Sequence, residues 1–446
     1  MVIAGAGGAG LAAAVMAGSI SKDVVVLEKT QDVGGNTRLA DAFNAVDPAV
    51  QKPLGIEDSP ELHARQMLET GRWCADPKLV ETVATGAPRA LAWLKELGVR
   101  FEPGVYQVYG SLWPRTHSPS EPEGSGYIRP LLFKCRELGV SIRTGTKVLR
   151  VIRNGLEGPV LGVEAERMNG RRLFIRARRG VVVATGGFGA NAELVGRFPR
   201  LGHLRSTNLP GTTGDLIAPL EDIGAAAVGM DFFQLLPGSA EDGRFIGAAS
   251  TVERMIFVNR AGERFIAEDS PSSKLSAAVL AQPGGIAFPI LDANGYSAMR
   301  TLSRAMFDRA LMRGDAFEAN SIPELASLLQ IPAEALVATV EAYNEAVETG
   351  HDPVGRRAVV LMHRIARRPF YGAKVTMCVN CTLGGIAITP RAEVLDRHGR
   401  VIPRLYAAGE VTGGVHGANY MGGNALSDVF TFGRIAGENA VQEPFA

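Results

Sequence analysis

The first ten residues, MVIAGAGGAG, constrain the fold of this chain more than any other stretch. Met1–Ala4 is an apolar run of strand type, and Leu11–Ala17 continues as a helical apolar stretch. Between them, Gly5, Gly7 and Gly10 form G-x-G-x-x-G. This order of strand, tight glycine turn and helix is typical of a dinucleotide-binding βαβ unit, in which the helix N-terminus faces a pyrophosphate.

An acidic residue follows at the distance that this motif requires. A second apolar run, Val24–Leu27, ends at Glu28, eighteen residues past Gly10. An acid at this place accepts hydrogen bonds from ribose hydroxyls. The glycine motif alone is often only a glycine-rich turn, but the strand, the helix and the acid together predict a bound adenine dinucleotide.

Composition and charge agree with a globular enzyme. A chain of 446 residues suggests two or three domain-sized units. The 47 basic and 46 acidic residues nearly cancel, so the charge gives no reason to expect nucleic acid or an anionic membrane as a partner. No apolar run approaches the ~18 residues of a membrane span. Four cysteines and no visible signal peptide favour the cytoplasm, although Met1 already lies in the first strand, which leaves open a leader or small domain before it.

The apolar pattern predicts an interrupted cofactor domain. Residues 231–365 lack phosphate-type glycine loops and include a helical stretch, Pro323–Thr349. The segment Leu405–Glu410 reads as strand, glycine and acid, and a helix follows over Asn424–Gly437. We therefore predict that 1–230 and 366–446 form the cofactor-binding domain and that 231–365 is an inserted capping or substrate domain.

Shorter elements fill the first part. Helical spacing extends over Pro60–Lys95 and Leu131–Leu138, which places Cys74 and Cys135 on helices, where we expect them in the core. Short strands are predicted at Val140–Ile142, Val148–Ile152, Val160–Ala165 and Arg172–Ala177. Val181–Gly187 is a second strand followed by glycines, which would return the chain to the parallel sheet near the cofactor.

With these stretches assembled, the chain resembles the FAD-binding family of fumarate reductase and succinate dehydrogenase flavoproteins. It is most similar to the soluble flavocytochrome-type fumarate reductases, without their haem domain, and the similarity extends over nearly the whole chain. The matching stretches are Gly5–Gly10, Gly34–Thr37, Arg115–His117, Ala184–Asn191, Thr207–Asp215, Phe257–Phe265 and Ala407–Glu438. The last of these is the most specific.

The resemblance implies a fold class and a cofactor. The fold is α/β, with a dinucleotide-binding (Rossmann-like, glutathione-reductase-type) FAD domain and an inserted α+β capping domain. FAD is expected in an extended pose and without a covalent link, because no histidine stands near Thr37–Ala45. The motifs and the resemblance together predict FAD contacts at Gly5, Gly7, Gly8, Gly10, Glu28, Lys29, Gly34, Gly35, Asn36, Thr37, Val148, Thr185, Gly186, Asp215, Gly409, Glu410, Asn424, Ala425 and Leu426.

The helix that begins at Asn424 has a physical role of its own. Its first N–H groups and the positive end of its dipole point at whatever lies there. In a flavin site this is the N1–C2=O edge, where negative charge collects when the flavin takes two electrons, so the helix would raise the flavin potential. The alternative is a helix that Asn424 merely caps.

The positions that clamp a dicarboxylate in fumarate reductases differ in this chain. Aligned residue by residue, Leu236 and Cys381 stand at family histidines, Ser272 at the acid arginine and Tyr420 at the carboxylate-binding arginine. A carboxylate without a guanidinium forfeits a charge-assisted bond worth ~1.5–3 kcal/mol. We therefore expect a less charged substrate, an enone or a ketone, or an acid held by other residues. Arg115 and Lys274 are the candidates for holding such an acid.

Several side chains are candidates for catalysis, each with a structural alternative. Tyr420 is either the proton donor or acceptor, as in the ketosteroid dehydrogenases of the wider family, or a packing residue. Ser272 and Lys274 form a proton relay, or Lys274 is solvated. His117 is either an active-site wall or a structural hydrogen-bonding residue. The residues predicted to contact substrate are Leu236, Asn380, Cys381, Thr382, Tyr420, Gly422 and Gly423, the two glycines through backbone donors to a developing oxyanion.

A single C-x-x-C, Cys378 to Cys381, cannot supply a four-ligand zinc site, and no metal is expected. We interpret the two cysteines as small side chains that line a substrate pocket rather than as a redox dithiol. The first functional hypothesis is an FAD enzyme that reduces or desaturates a C–C bond next to a carbonyl. The alternatives are a fumarate or unsaturated-acid reductase, a flavin oxidase, and a non-catalytic flavin-binding electron-transfer subunit.

Several properties stay open at this point. No second dinucleotide motif is visible, so electrons pass to or from a partner protein, a quinone, free flavin or oxygen. The substrate, the direction of the reaction, the electron partner and the oligomeric state are not defined by the sequence.

Overall fold

Three adjacent strands of the central sheet are apolar along their whole length. Val2–Ala4 and Val181–Val183 are buried throughout, and Val25–Leu27 is buried except at its first residue. Continuous apolar runs of this kind are typical of parallel strands covered on both faces. Val2 pairs in parallel with Val25 on one side and with Val181 on the other, as the sequence predicts for a dinucleotide-binding sheet.

The computed structural model describes residues 1–108, 110–121, 124–248 and 252–445. The strands in this part of the chain, β1–β19 in order, are Val2–Ala4, Val25–Leu27, Phe43–Asn44, Thr116–His117, Ser141–Arg143, Thr146–Arg153, Val160–Arg167, Arg172–Arg176, Val181–Val183, Ala227–Val228, Phe233–Ser239, Met255–Val258, Ile286–Asp292, Ala316–Ala319, Phe370–Ala373, Val375–Thr382, Gly385–Ile386, Glu393–Leu395 and Val401–Ala407. The helices, α1–α13, are Gly8–Ile20, Pro48–Gln51, Pro60–Thr70, Pro77–Glu96, Ser125–Glu137, Ala192–Gly196, Ile217–Asp222, Ser272–Leu280, Ala293–Ala298, Thr301–Arg313, Ile322–Leu329, Ala333–Thr349 and Asn424–Gln442.

The first of two compact units comprises residues 1–202, 208–234 and 381–446. Its main sheet has the order β18-β19-β9-β1-β2-β5, parallel except for the antiparallel pair of β18 and β19. A smaller antiparallel sheet has the order β6-β7-β8. This arrangement confirms the predicted α/β fold class, and it places the chain segments of both sequence ends in one sheet.

The second unit comprises residues 203–207 and 235–380. Its sheet has the order β11-β16-β13-β15-β14, with β12 on β13, and the pairs of β13 and β15 with their neighbours are antiparallel. Helices α8–α12 belong to this unit. FAD binding by the first unit and substrate capping by the second stay predictions.

A buried charge network lies inside the second unit. Arg264 donates to Glu268 at 2.8 Å and to Asp352 at 2.8 Å, and Arg356 donates to Glu268 at 2.6 Å. Tyr343 lies beside both guanidinium groups, each 5.1 Å from its ring centre. Two positive and two negative charges compensate each other here, which buried ions require.

Two helices predicted as continuous are each divided in the structure. The stretch 60–95 forms α3 and α4, because Arg72 and Trp73 adopt left-handed conformations with φ of 55° and 58°. Asp76 then caps α4 by accepting from the Lys78 N–H at 2.8 Å. Cys74 lies in the connecting turn and is exposed, so its predicted core position is wrong, whereas that of Cys135 is confirmed.

The stretch 323–349 divides into α11 and α12. Gln330 adopts a left-handed conformation with φ of 58°, and Pro332 precedes the second helix. Helix α13 runs to Gln442, five residues beyond the predicted end. Within the described ranges no helix combines the length and the apolar character needed to cross a membrane.

Helices α1 and α13 pack with their backbones in direct contact. A Cβ at Gly433 would lie 2.7 Å from the Ala9 oxygen, and one at Gly437 would lie 2.3 Å from the Ala13 oxygen. Both contacts advance by four residues on both helices, so the helices run parallel.

We expect Gly437→Ala to destabilise the first unit. The added methyl would meet the Ala13 carbonyl, and overpacking of this kind costs about 1–3 kcal/mol of unfolding free energy. Gly196→Ala is the matched control, because the Cβ position at Gly196, also in a helix, has no atom within 4 Å. Thermal denaturation of the two variants measures the difference, and equal melting temperatures would contradict the close packing.

Candidate active site

The glycine-rich loop joins β1 to α1 and has two kinds of glycine. Gly5 has φ of 100°, and a Cβ there would lie 2.3 Å from the Ala184 oxygen. A Cβ at Gly10 would lie 2.0 Å from the Gly5 oxygen. At Gly7 the nearest atom to such a Cβ is the Gly34 oxygen at 3.8 Å, so the loop is open there to another molecule. Gly5 and Gly10 permit the close packing of the protein backbone, and Gly7 permits the close approach of a ligand, as the motif requires.

Glu28 lies at the carboxyl end of β2, beside this loop. Its Oε2 accepts from the Ala6 N–H at 2.8 Å, and its Oε1 accepts from the N–H and the hydroxyl of Thr30 at 2.9 and 2.8 Å. A carboxylate has about four acceptor positions. The three contacts therefore orient Glu28 and leave capacity for a ribose hydroxyl, which stays a prediction.

A second predicted loop contacts the first. The Gly34 N–H donates to the Ala6 carbonyl at 2.8 Å, and the Gly8 N–H donates to the Thr37 hydroxyl at 3.1 Å. Gly35 begins a 3₁₀ helix, Gly35–Leu39. Asn36 accepts from the Leu209 N–H at 3.0 Å, which fixes the following loop to this one. The Gly8 amide thus has a protein partner, so its predicted contact with FAD would require an exchange of that bond.

Charged residues follow near Glu28. Lys29 donates to Asp215 at 2.5 Å and to Thr213 at 2.6 Å, and Lys147 lies 3.0 Å from the other Asp215 oxygen. Burial alone raises the pKa of Asp215, but the hydrogen bonds and charges of the two lysines outweigh it and lower the pKa overall. Asp215 is therefore ionised and paired, and a direct role in FAD binding stays a prediction.

The ends of β9 and β19 supply the remaining predicted contacts in the first unit. The Thr185 hydroxyl is buried and has no hydrogen-bond partner among the residues that the structure describes. Glu410 accepts from the N–H and hydroxyl of Thr382 at 3.1 and 3.3 Å, and burial raises its pKa. Gly186 and Gly409 both have positive φ, 75° and 77°. An orphaned buried hydroxyl beside the open glycine loop fits a bound dinucleotide.

Val148, the predicted contact on β6, is 6% exposed and pairs with Ala165. The strand starts beside Glu28, because the Thr146 N–H donates to the Glu28 carbonyl at 2.8 Å. Val148 therefore belongs to the same end of the first unit as Glu28.

The start of α13 brings Tyr420 to its first amides. The Ala425 N–H donates to the Tyr420 hydroxyl oxygen at 3.0 Å, and Leu426 follows in the same buried turn. Burial, together with the nearby Cys381 thiol, raises the pKa of Tyr420 well above its ordinary value, although the Ala425 bond opposes this. Tyr420 is thus a neutral phenol at neutral pH whose oxygen already accepts one bond.

The neighbouring glycines are engaged with backbone. The Gly422 N–H donates to the Gly110 carbonyl at 3.1 Å, and a Cβ at Gly423 would lie 2.3 Å from the Asn44 amide oxygen. Gly422 therefore has a partner in this structure, and its predicted role as an oxyanion donor requires that bond to be exchanged.

Arg115 and His117 occupy structural positions. Arg115 is fully buried and donates to both oxygens of Asp58, at 2.9 and 2.7 Å, and to Gln66 at 2.6 Å. His117 is buried, lies 3.3 Å from the Ala45 carbonyl through Nε2, and has its pKa lowered to about 4, mainly by burial. Asp58 and Gln66 take up three of the Arg115 donors, which favours a structural role over that of a carboxylate ligand. The burial of His117 favours its structural interpretation.

The remaining predicted residues belong to both units. In the second unit Ser272 begins α8 and is buried, Lys274 is exposed, and Leu236 is half-buried on β11. Exposure of Lys274 favours the solvated interpretation over the proton relay.

Asn380 also belongs to the second unit, where its amide oxygen accepts from the Thr207 hydroxyl at 2.8 Å. Cys381 and Thr382 belong to the first unit. Burial raises the pKa of Cys378 to about 11 and that of Cys381 well above its ordinary value. Both thiols are therefore protonated at neutral pH, which argues against a redox dithiol.

The fold and these loops define a dinucleotide-binding protein, and comparison with known proteins agrees. The sequence matches the model of an FAD binding domain over residues 1–426. Over 99% of its length it is 36% identical to the fumarate reductase (cytochrome) of Shewanella frigidimarina, 77% of which is covered. It is 32% identical to the NADH:acrylate oxidoreductase of Vibrio harveyi, and spans only half (50%) of that protein.

Two solved structures extend the comparison. The open conformation of a flavocytochrome c3 fumarate reductase superposes with a TM-score of 0.81 at 32% identity, covering 99% of this chain and 78% of the other. The 3-ketosteroid-delta4-(5alpha)-dehydrogenase from Rhodococcus jostii RHA1 superposes with a TM-score of 0.75 at 27% identity, covering 99% of this chain and 96% of the other. The chain belongs to the family of FAD-binding flavoproteins that includes the fumarate reductases. It is an FAD-dependent oxidoreductase of the class that acts on CH–CH groups.

We expect Arg115→Met to destabilise the protein strongly, because it leaves Asp58 as a buried carboxylate without its partner. Breaking a buried pair on one side costs about 3–5 kcal/mol, and removing both charges costs less. The double variant Arg115→Met/Asp58→Leu should therefore recover part of the loss. Urea denaturation compares the variants with Arg129→Met, whose exposed guanidinium pairs with exposed Glu121 and is worth about 1 kcal/mol or less. An Arg115→Met protein as stable as the wild type would contradict the structural role.

Proposed function

We propose that this protein reduces or desaturates a C–C bond adjacent to a carbonyl group, and that its substrate is an enone or ketone, or a weakly charged acid, rather than fumarate. The small-molecule substrate would bind beside FAD in the first unit. We also place the enzyme in the cytoplasm, on the low cysteine content of a long chain.

The observation that carries this proposal is the replacement of the anion clamp. Leu236, Ser272, Cys381 and Tyr420 stand where the family resemblance implies two histidines and two arginines. Arg115, which the sequence offers as a cation that could compensate, already donates three hydrogen bonds to Asp58 and Gln66. A dicarboxylate would then be desolvated without charge-assisted bonds, which disfavours fumarate as a substrate.

The relatives support the class and leave the substrate open. The names of the similar proteins include fumarate, acrylate and urocanate reductases and a 3-ketosteroid dehydrogenase. All of these act at a C–C bond conjugated to a carbonyl or carboxyl group. The common chemistry supports the proposed reaction, while the loss of the clamp favours the less charged members of that range.

Bound FAD supplies the hydride chemistry, and Tyr420 would move the accompanying proton. As a neutral phenol it can donate a proton to the substrate carbon in the reducing direction. The phenolate that remains keeps the bond from the Ala425 N–H, which favours its charge. Because that N–H belongs to the first turn of α13, the positive end of the helix dipole acts in the same sense.

The proposal is tested by reoxidation of the reduced protein. After anaerobic photoreduction, we expect a cyclic enone to reoxidise the flavin at least about tenfold faster than fumarate at equal concentration, because one lost charge-assisted bond already corresponds to that factor. Stopped-flow absorbance of the flavin measures both rates. Fast reduction of fumarate would overturn the substrate assignment, and peroxide formation with no reaction of any unsaturated compound would favour the oxidase alternative.

Tyr420→Phe should lower turnover by about two to four orders of magnitude, the usual contribution of a positioned acid or base. The flavin absorbance spectrum should stay unchanged, because the aromatic ring is retained. Tyr406→Phe is the control, since the Tyr406 hydroxyl donates to Glu443 at 2.7 Å at the carboxyl-terminal end of the first unit. Equal turnover in wild type and Tyr420→Phe would leave Tyr420 as a packing residue.

A further inference from the structure

A cluster of buried polar side chains surrounds the first residue of α13, and the proposed function does not use it. Asn424 is fully buried, and its amide oxygen accepts from Asn44 Nδ2 at 2.9 Å and from His63 Nε2 at 3.0 Å. Asn44 and His63 are fully buried as well. Neither belongs to a sequence motif, and both are distant from Asn424 along the chain.

The hydrogen bonds define the orientation of every amide in this cluster. Asn44 Nδ2 also faces the Gly422 carbonyl at 2.8 Å, which can only accept, so this atom of Asn44 is the donor. The Asn44 oxygen, in agreement, accepts from the Thr116 hydroxyl at 2.7 Å. The atom of Asn424 that faces Asn44 is therefore its oxygen, and the NH₂ group of Asn424 must point the other way.

His63 follows from the same logic. Because Asn424 Oδ1 can only accept, His63 Nε2 must carry a proton. Burial, and then the positive charge of Arg115, lowers the pKa of His63 to about 4. At neutral pH His63 is therefore neutral with its one proton on Nε2, directed at Asn424.

The NH₂ group of Asn424 is left with no acceptor in the described part of the chain, although the residue is fully buried. Leaving a buried amide unsatisfied costs about 1–3 kcal/mol. Asn44 and His63 hold this costly orientation, because a flipped amide would lose the hydrogen bonds from both of them. The arrangement indicates that an acceptor atom of a ligand meets the NH₂ group.

The position of Asn424 indicates which ligand this is. A Cβ at Gly8, the first residue of α1, would lie 2.9 Å from Val429 of the parallel helix α13. Asn424 precedes Val429 by five residues, which corresponds to about 7.5 Å along the helix axis. The start of α13 therefore extends past the glycine-rich loop, where the motif predicts the pyrophosphate of the dinucleotide.

We propose that the Asn424 NH₂ group donates a hydrogen bond to a carbonyl oxygen of the FAD isoalloxazine ring, and that His63 and Asn44 are positioning residues that hold it there. The ring oxygens carry more negative charge when the flavin is reduced, so the bond is stronger in the reduced form. His63 would thus raise the flavin midpoint potential without touching the cofactor. This assignment does not depend on the identity of the substrate.

A pair of His63 variants tests the proposal on the holoprotein with no substrate present. The amide nitrogen of Gln in His63→Gln can reach the place of His63 Nε2, whereas the shorter side chain of His63→Asn cannot. In His63→Asn we expect reduced FAD to be weakened about tenfold more than oxidised FAD, which lowers the midpoint potential by about 30 mV for a two-electron couple. In His63→Gln the dissociation constants of oxidised and reduced FAD should each stay within about threefold of their wild-type values. The midpoint potential should then stay close to that of the wild type.

Asn424→Asp is a second, independent test. It keeps an oxygen toward His63 and Asn44 but replaces the NH₂ donor by an acceptor, so we expect a larger fall in potential than in His63→Asn and weaker FAD binding. Thermal denaturation of the apoproteins controls for folding. Equal potentials in wild type and His63→Asn, or an unchanged potential in Asn424→Asp, would overturn the proposal, as would a loss in His63→Gln equal to that in His63→Asn.

Discussion

The parallel contact between α1 and α13 is the interaction on which the site depends. Gly433 and Gly437 meet the backbone at Ala9 and Ala13, so no side chain separates the two helices. Helix α1 begins at the glycine-rich loop. The contact therefore fixes where α13 begins, measured along the helix axes, relative to that loop. Tyr420 and Asn424 are both attached to this start, and they share its position.

The charges of the first unit are largely compensated within the protein. Both Asp58 oxygens accept from one edge of the Arg115 guanidinium, and Asp215 lies between Lys29 and Lys147. A fumarate reductase needs cations that are held in place yet available to substrate. In this chain Arg115 is engaged with Asp58 and Gln66, and the positions that the family resemblance assigns to the clamp hold neutral side chains. Under the proposed function, selectivity follows from this electrostatic difference rather than from the fold.

Local patterns predicted the parts of the site that are close in sequence. The glycine loop with Glu28, and separately the start of α13, are each defined by turns and helix ends within a short stretch of chain, and such turns require particular residues. His63 and Asn44 meet Asn424 across 361 and 380 residues, so no spacing announces them. The buried pair of Arg115 and Asp58 was not predicted from the sequence for the same reason, because the two residues lie 57 positions apart and form no motif. Cys74 is exposed because the helix breaks just before it, at Arg72 and Trp73, whose left-handed conformations the apolar spacing does not indicate.

The start of α13 offers a limited number of donors, and their distribution favours chemistry on a neutral substrate. The Ala425 amide serves the Tyr420 oxygen, while the Asn424 NH₂ group, under our proposal, serves the flavin. A guanidinium at position 420 would need no such support, because it carries its charge permanently. The helix end stabilises a phenol strongly only when the phenol loses its proton. The Ala425 N–H would therefore stabilise the Tyr420 oxygen weakly in the resting state and more strongly during proton transfer. Under the proposed function, tyrosine in place of the arginine that the resemblance implies thus replaces a permanent binding charge by one that exists only during proton transfer.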